Sequence, residues 1–308
     1  MSKVYEIVTN QIINALEKGT VPWASPYVAG VKHQNLITKI PYHGVNIMLL
    51  GLVAQANGYQ YPLWLTYNQA KQKGWHVKKG AKTAMVTFFK MYQPKIKDMA
   101  DDDIADDDIA EEEETTKSIP VLRYYNVFNI AELDECDEIV NKKATETCKV
   151  VAISDLEKEY KIFLHTYISK EKIEYIENEI NGLVSAYNPV KDRIRMSNVK
   201  PENFLQVLSH EVIHSTGHPK RLNRFAIDKF AETEEYSAEE LVAEIGSCMM
   251  MAQAGLQPNI ENSASYCNGW AEFLRDKKKA IVSASAKAEK ACDFVVKVAG
   301  IKKLKEAV

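Results

Sequence analysis

A His-Glu-x-x-His pattern at residues 210–214 constrains the fold of this chain more than any other feature of its sequence. Residues four apart differ by about 40° around a helix and lie roughly 6 Å apart along it, so His210 and His214 share one face. The opposite face carries apolar side chains that can pack into a core: Leu205, Leu208 and Val212. The pattern therefore predicts a helix over 201–216 that is anchored on one side and presents two imidazoles to a cleft on the other.

The chemistry of this pattern predicts a catalytic zinc site. Two neutral imidazoles suit Zn²⁺, which in catalytic sites takes three protein ligands and keeps one position open for water. Zinc lowers the pKa of that water to near 7, and Glu211, next to His210, is placed to accept the water proton as the catalytic general base. We therefore expect His210 and His214 to bind one Zn²⁺ per chain, with other divalent ions able to use the same ligands. The alternative is that both are structural histidines on an exposed helix.

The third metal ligand has to come from another part of the chain. Glu240 and Glu244 are four residues apart on a second predicted helix, 237–254, so both can face the first helix. We expect Glu240 to bind the metal and Glu244 to accept a hydrogen bond from the Nδ1–H of a ligand histidine, which would orient its ring. Glu244 itself and His218 are alternative ligands. Ser237 and Glu240 also fit a capping box, in which Glu240 bonds only the backbone.

Charge is divided sharply along the chain. Residues 1–97 contain twelve lysines, two glutamates and no arginine, a charge of +10, whereas residues 98–114 contain eleven acidic residues and no base. Such an asymmetry favours a polyanionic partner for the basic part. Strand-like segments at 84–89 and 121–129 predict that residues 98–117 form a mobile acidic insertion within the first domain. This insertion is either simply solvated or folds over the basic surface and competes with its ligand.

Lysines and aromatic residues are interleaved in the basic part, which favours single-stranded DNA as the partner. Bases of a single strand stack on aromatic rings while a basic track holds the phosphates. The absence of arginine argues against sequence-specific duplex recognition, in which arginine pairs with guanine. The predicted binding residues are Trp64, Trp75, Lys71, Lys73, Lys78, Lys79 and Lys82. The alternative for each tryptophan is packing in the core.

Length and composition favour an α+β protein of two domains. A chain of 308 residues suits two domains, and the polar stretch 131–149 marks a boundary between 1–140 and 150–308. We expect a mixed α/β first domain that binds single-stranded DNA, and a mainly helical second domain with a small sheet that has an edge strand at 192–196. Further helices are predicted at 3–18, 45–57, 66–73, 154–167, 262–276 and 284–298.

The cysteines and the hydropathy pattern predict a cytoplasmic protein without a membrane partner. Five cysteines are an odd number without framework spacing, which is typical of reduced thiols. No apolar run approaches the ~18 residues of a membrane span, and the first residues lack the apolar stretch of a signal peptide.

Each half of the sequence resembles a known protein family. The second half is similar to zincin-type metallopeptidase domains of plasmids and phages, through residues 210–218, 221–224 and 236–246. The first half is similar to the single-stranded-DNA-binding domain of ArdC antirestriction proteins, through residues 21–23, 42–46, 63–70, 77–80 and 127–129. These motifs occur in the right order and extend over most of the chain. The acidic run 98–114 and Ser215, where an aromatic residue is expected, depart from the family pattern.

The resemblance implies a DNA-binding domain joined to a zinc metalloprotease domain that acts on an unknown protein substrate and protects incoming mobile DNA from restriction. It assigns metal binding to His210, His214 and Glu240, and general-base catalysis to Glu211. Candidates for stabilising the oxyanion are Tyr187, His218 and Tyr236. Three alternatives remain: a non-catalytic protein that coats DNA around a structural metal site, a zinc nuclease, and a DNA mimic built on the acidic run.

Overall fold

The computed structural model of the chain describes residues 3–28, 31–92, 119–141, 153–177, 184–227, 233–260 and 263–300. The predicted acidic insertion, 98–117, and residues 142–149, between the two predicted domains, lie outside the described residues. Over the described part of the chain, helices and two small mixed sheets make an α+β architecture, so the predicted fold class is confirmed. The division into two domains stays a prediction.

The N-terminal half builds a four-stranded sheet with helices packed against it. Its elements are α1 (Lys3–Glu17), β1 (Gln34–Asn35), α2 (Val45–Asn57), β2 (Leu63–Leu65), α3 (Tyr67–Gln72), β3 (Thr83–Tyr92), β4 (Ile119–Asn129) and α4 (Cys136–Asn141). The strand order is β1-β2-β4-β3, with β1 parallel to β2 and the other pairs antiparallel. Thr66 caps α3 through a capping box with Gln69.

The C-terminal half is mainly helical. Its elements are α5 (Ile153–Lys170), β5 (Glu174–Glu177), β6 (Ala186–Asn188), β7 (Arg193–Met196), α6 (Pro201–Thr216), α7 (Thr233–Gln253), α8 (Ala264–Asp276) and α9 (Ala280–Ala299). The predicted bounds of α6 are confirmed, and Pro201 begins the helix at a position that needs no backbone donor. Among the described helices none has both the length and the apolar character needed to cross a lipid bilayer.

The small sheet differs from its prediction in one respect. Its order is β5-β7-β6, so the segment predicted as an edge strand, β7, is the central strand. The polar side chains that suggested an edge find partners there: Arg193 pairs with Glu174, and Arg195 donates to the Val184 carbonyl. Within the described part of the chain, β6 pairs only with β7 and therefore forms an edge of this sheet.

One hydrophobic cluster contains residues from both halves of the sequence. The largest buried cluster contains residues of α1 and α2 together with residues of α5 to α9. Helix α1 packs against α8, and Thr9 Oγ1 in α1 donates to the Lys278 carbonyl at 2.7 Å. Trp23 is fully buried, with its ring edge-on to Trp270 at 6.0 Å. The helices that carry the candidate site therefore rest partly on the N-terminal half.

Close packing of α6 against α7 brings the two candidate site helices together. Gly246 of α7 faces Ile213 of α6, and a Cβ at Gly246 would lie only 3.0–3.1 Å from Ile213 side-chain atoms. The glycine therefore permits an approach that a larger residue would oppose. This approach sets the distance between the histidines of α6 and the glutamates of α7.

Candidate metal centre

Three side chains from α6 and α7 converge on one point. His210 Nε2 lies 3.0 Å from His214 Nε2, and these atoms lie 3.2 Å from Glu240 Oε2 and Oε1 respectively. Ligand atoms on a tetrahedral zinc ion with bonds of 2.0–2.1 Å are separated by roughly 3.3 Å. Among the described residues this is the only group of three or more His, Cys, Asp or Glu side chains close enough to share an ion. The spacing and the donor chemistry both fit a divalent metal.

The structure distinguishes among the candidates for the third ligand. Helix α7 already begins at Thr233, so Ser237 lies inside the helix and the capping-box alternative for Glu240 is wrong. His218 Nδ1 accepts from the Lys220 backbone at 3.2 Å, and His218 is outside the converging group. Glu240 is thus the carboxylate that meets both histidines.

The carboxylate beside His214 is Glu239, which corrects the role predicted for Glu244. Glu239 Oε1 lies 3.6 Å from His214 Nδ1, and Arg224 Nε donates to Glu239 Oε2 at 3.1 Å. Glu244 instead lines the cleft near Tyr266, and burial raises its pKa. A ligand imidazole bound through Nε2 carries its proton on Nδ1, where a carboxylate partner holds the ring in place. The role of Glu239 could not be predicted from spacing along one helix, because its partner Arg224 comes from the loop after α6.

Neighbouring carboxylates favour the protonated form of His214. Burial alone would lower the pKa of His214, but interactions with Glu239 and Glu240 and the charge of Glu211 raise it to about 10. Burial likewise opposes ionisation of Glu240, yet its contacts with His210 and His214 hold its pKa well below the usual range. The carboxylates around His214 therefore place negative charge where a metal cation would bind.

The backbone of β6 orients the predicted general base. Glu211 is buried, and its Oε2 accepts the Tyr187 backbone N–H at 2.6 Å. The Tyr187 hydroxyl donates to Asp192 at 2.8 Å and accepts from Arg221 at 3.0 Å. Because these partners hold the hydroxyl, Tyr187 contributes its backbone rather than its phenol to the site.

Of the three candidates for stabilising an oxyanion, Tyr236 is the one that lies beside the three converging side chains. It is partly exposed at the wall of the cleft. Burial, a hydrogen bond to Glu240 and the charges of Glu240 and Glu211 raise the pKa of Tyr236 to about 12. Its hydroxyl therefore keeps its proton at neutral pH. His218 is buried and does not line the cleft.

The converging side chains open into a cleft of about 750 Å³. Its walls come from β6, α6, α7 and the segment 197–200 that leads into α6. Glu211, Glu240 and Glu244 supply carboxylates, and Lys200 supplies a cation. A cleft of this size and polarity can hold a short extended segment of polypeptide.

The structure separates the predicted DNA-binding residues into two groups. All five lysines, Lys71, Lys73, Lys78, Lys79 and Lys82, are exposed. Trp64 is fully buried, and its indole N–H donates to His33 Nδ1 at 3.0 Å, so its prediction as a stacking residue is wrong. It sits on β2, whose two neighbouring strands enclose it in the sheet. Trp75 is partly buried and packs against the cluster that contains Leu36 and Ile139.

Residues 167–287, which include the converging side chains, match the model of a class of domain, the zincin-like metallopeptidase domain. Residues 2–128 match the N-terminal domain of anti-restriction factor ArdC. The metal-free crystal structure of the antirestriction ArdC protein from plasmid R388 has a TM-score of 0.69 and 30% identity, over 96% of this chain and 97% of that one. Its Mn(II)-bound structure has a TM-score of 0.68 and 29% identity, over 97% and 99% of the two chains. The chain belongs to the ArdC antirestriction family.

Two curated relatives extend this comparison. The DNA primase TraC of Escherichia coli is 28% identical over 95% of this chain, which corresponds to 27% of the primase. Protein y4eC of Sinorhizobium fredii (strain NBRC 101917 / NGR234) is 28% identical over 95% of this chain and 91% of its own length. The chain thus spans about a quarter of the primase and nearly all of y4eC.

Proposed function

We propose that this chain is a zinc-dependent peptidase whose N-terminal half binds single-stranded DNA, and that it protects incoming mobile DNA from restriction in the cytoplasm. The convergence of His210, His214 and Glu240 beside Glu211 in one cleft carries the proposal. Membership of the antirestriction family supports the biological role. The Mn(II)-bound structure of the R388 protein supports the binding of a divalent ion by a chain of this fold.

The residues around the cleft have complementary tasks in peptide-bond hydrolysis. When bound to His210, His214 and Glu240, a divalent ion would supply a Lewis acid and a water of lowered pKa. Glu211, oriented by the Tyr187 N–H, accepts the proton of the attacking water and later delivers it to the leaving amine. The Tyr236 hydroxyl donates a hydrogen bond to the developing oxyanion.

Metal content tests the site directly. We expect about one Zn²⁺ per chain in the purified protein and its loss in His214→Ala, because that change removes a ligand. The matched control is His76→Ala, whose exposed imidazole pairs with Glu135 far from the cluster in sequence. Elemental analysis after gel filtration measures the outcome. An unchanged zinc content in His214→Ala would contradict the ligand assignment.

A second variant separates hydrolysis from metal binding. Glu211→Gln should retain zinc and lose cleavage of a peptide library read by mass spectrometry, by roughly 10²–10⁴-fold in rate. If unmodified protein and Glu211→Gln protect DNA from restriction equally well, coating rather than proteolysis accounts for the protection.

Single-stranded DNA binding rests on the exposed lysines and on the family. Fluorescence anisotropy with labelled oligo-dT and with a duplex of equal length tests it over a range of salt. We expect tighter binding of the single strand and weakening as salt rises, because phosphate contacts release counterions. Equal affinity for the duplex would contradict the preference for a single strand.

A further inference from the structure

The two long strands of the N-terminal sheet carry aromatic and cationic side chains on the same face. In the antiparallel pair β3–β4, Phe88 lies opposite Arg123, and Val86 lies opposite Tyr125. Side chains two residues apart on a strand share a face, so Phe88, Lys90, Arg123 and Tyr125 all project from one side. We call these four residues the ribbon face.

The rings of the ribbon face are accessible and close together. Phe88 is 42% exposed and Tyr125 is 39% exposed. Their ring centroids lie 5.7 Å apart with planes tilted by 60°, so they offer one continuous aromatic surface. Val86 and Val127, which share this face, are fully buried beside the rings in a cluster that also includes residues of α2, and this burial anchors the strands that carry the rings. The surface is therefore built on a rigid support and open to a ligand.

Charge on the two strands selects an anionic ligand. Arg123 and Lys90 flank the rings, and neither β3 nor β4 contains an aspartate or a glutamate. The strand β3 also begins directly after the exposed Lys82. Adjacent aromatic and basic groups suit a ligand that alternates flat bases with phosphates.

We propose that the ribbon face is a stacking site for single-stranded DNA, with bases on Phe88 and Tyr125 and phosphates at Arg123 and Lys90. This inference rests on the proposed DNA-binding function. It places the stacking of bases on the ribbon face instead of on the buried Trp64. Bases in a duplex are already stacked on one another and present no free face to the rings. The ribbon face therefore favours single strands because of its aromatic surface, and not through reading of base edges.

The opposite face of the same strands provides a matched control. Phe89 and Tyr124 are 56% and 48% exposed, comparable to the ribbon-face aromatics. Their cross-strand partners are Leu122 and Thr87, so neither ring lies opposite a cation. Loss of exposed aromatic surface is thus similar in the two double variants, while only one removes the proposed site.

The test compares oligo-dT binding by three forms of the full chain. Stacking on one aromatic side chain is worth about five- to 150-fold in affinity. Phe88→Ala/Tyr125→Ala should therefore bind oligo-dT at least about 25-fold more weakly if the rings act independently. Phe89→Ala/Tyr124→Ala should bind within about threefold of the unmodified protein, which is well below the effect of one ring. Thermal unfolding and zinc content of all forms check that each is folded.

A charge variant tests the same site without removing a ring. The slope of log affinity against log salt concentration is negative, and Arg123→Gln should make it less steep by about 0.7, the value for one phosphate contact on a single strand. Lys158→Gln on α5, an exposed lysine beside Asp155, should leave the slope unchanged.

The outcomes separate this inference from the proposed function. If the unmodified protein binds oligo-dT and the ribbon-face double variant binds equally well, the ribbon face is not the site although DNA binding stands. A change of molar mass in light scattering for that variant, without a change in DNA affinity, would make the face a self-association surface and overturn the inference. Failure of the unmodified protein to bind any single strand would overturn both.

Discussion

At the scale of single residues, the candidate site combines a local motif with contacts that only the folded chain creates. His210, Glu211 and His214 could be predicted because all three follow from spacing on one helix. The partner of His214 could not, because Glu239 reaches it only when α7 crosses α6 and the loop that carries Arg224 folds back. The burial of Trp64 could not be predicted for a related reason, because it depends on the two strands that flank β2.

Substitution of Glu239 tests its positioning role. Glu239→Gln should lower zinc affinity by about 10–100-fold, because the carboxylate that faces His214 Nδ1 and pairs with Arg224 loses its charge. Glu244→Gln, four residues from Glu240 on the same helix, is the control and should have little effect. Competition with a zinc chelator measures both. A larger loss of zinc affinity in Glu244→Gln than in Glu239→Gln would return the supporting role to Glu244.

The buried pair of His33 and Trp64 predicts a dependence of stability on pH. Burial lowers the pKa of His33 to about 3, so the folded protein disfavours a proton that the unfolded chain binds below about 6.5. The free energy of unfolding should therefore be unaffected by this group above about pH 7 and should fall as pH drops towards 3. By pH 5 the loss from His33 should be about 2 kcal/mol.

Comparison with His33→Gln isolates this contribution. The variant removes the titrating group, so its unfolding free energy should change less between pH 7 and pH 5 than that of the unmodified protein. Urea unfolding at the two pH values measures the difference. Parallel losses in both proteins would show that other groups cause the pH dependence.

At the scale of elements, long periodic segments were predictable and short strands were not. The bounds of α6 and the cap of α3 follow from residues within each helix. Strand β5 carries its two apolar residues side by side and so shows no alternation, and β6 has only three residues. The alternation in β7 predicts a strand, as observed, but does not reveal its central position, because its arginines pair with protein groups and not with solvent.

The contact between α6 and α7 yields a prediction about Gly246. Gly246→Ala places a methyl group within 3.0–3.1 Å of Ile213, which should destabilise the protein by about 1–3 kcal/mol and weaken zinc binding as Glu240 moves away. Adding Ile213→Val removes one methyl group from the contact and should recover part of both losses. Chemical unfolding and chelator competition provide the measurements. Additive losses in the double variant would show that the two residues do not oppose each other.

At the scale of the whole molecule, the continuous core predicts that the halves unfold together. Ile12 of α1 is fully buried in the cluster that also contains α6 and α7 residues. Ile12→Ala should destabilise the chain by about 2–5 kcal/mol and lower the temperature at which zinc is released. Asn10→Ala, an exposed change in the same helix, should alter neither. Unchanged zinc release in Ile12→Ala, despite a lower unfolding temperature of the N-terminal half, would indicate independent domains.

The shared core of α1 and α8 also bears on how such a chain can be inherited. Separation of the two halves would expose on each an apolar surface that the other half normally buries. Recombination should therefore favour transfer of the entire unit. The similarity to the TraC primase agrees with transfer of the entire unit, because it covers 95% of this chain and only 27% of the larger protein. The core shared by the two halves thus offers a physical reason why the similarity to the primase extends over the whole unit and not over one half.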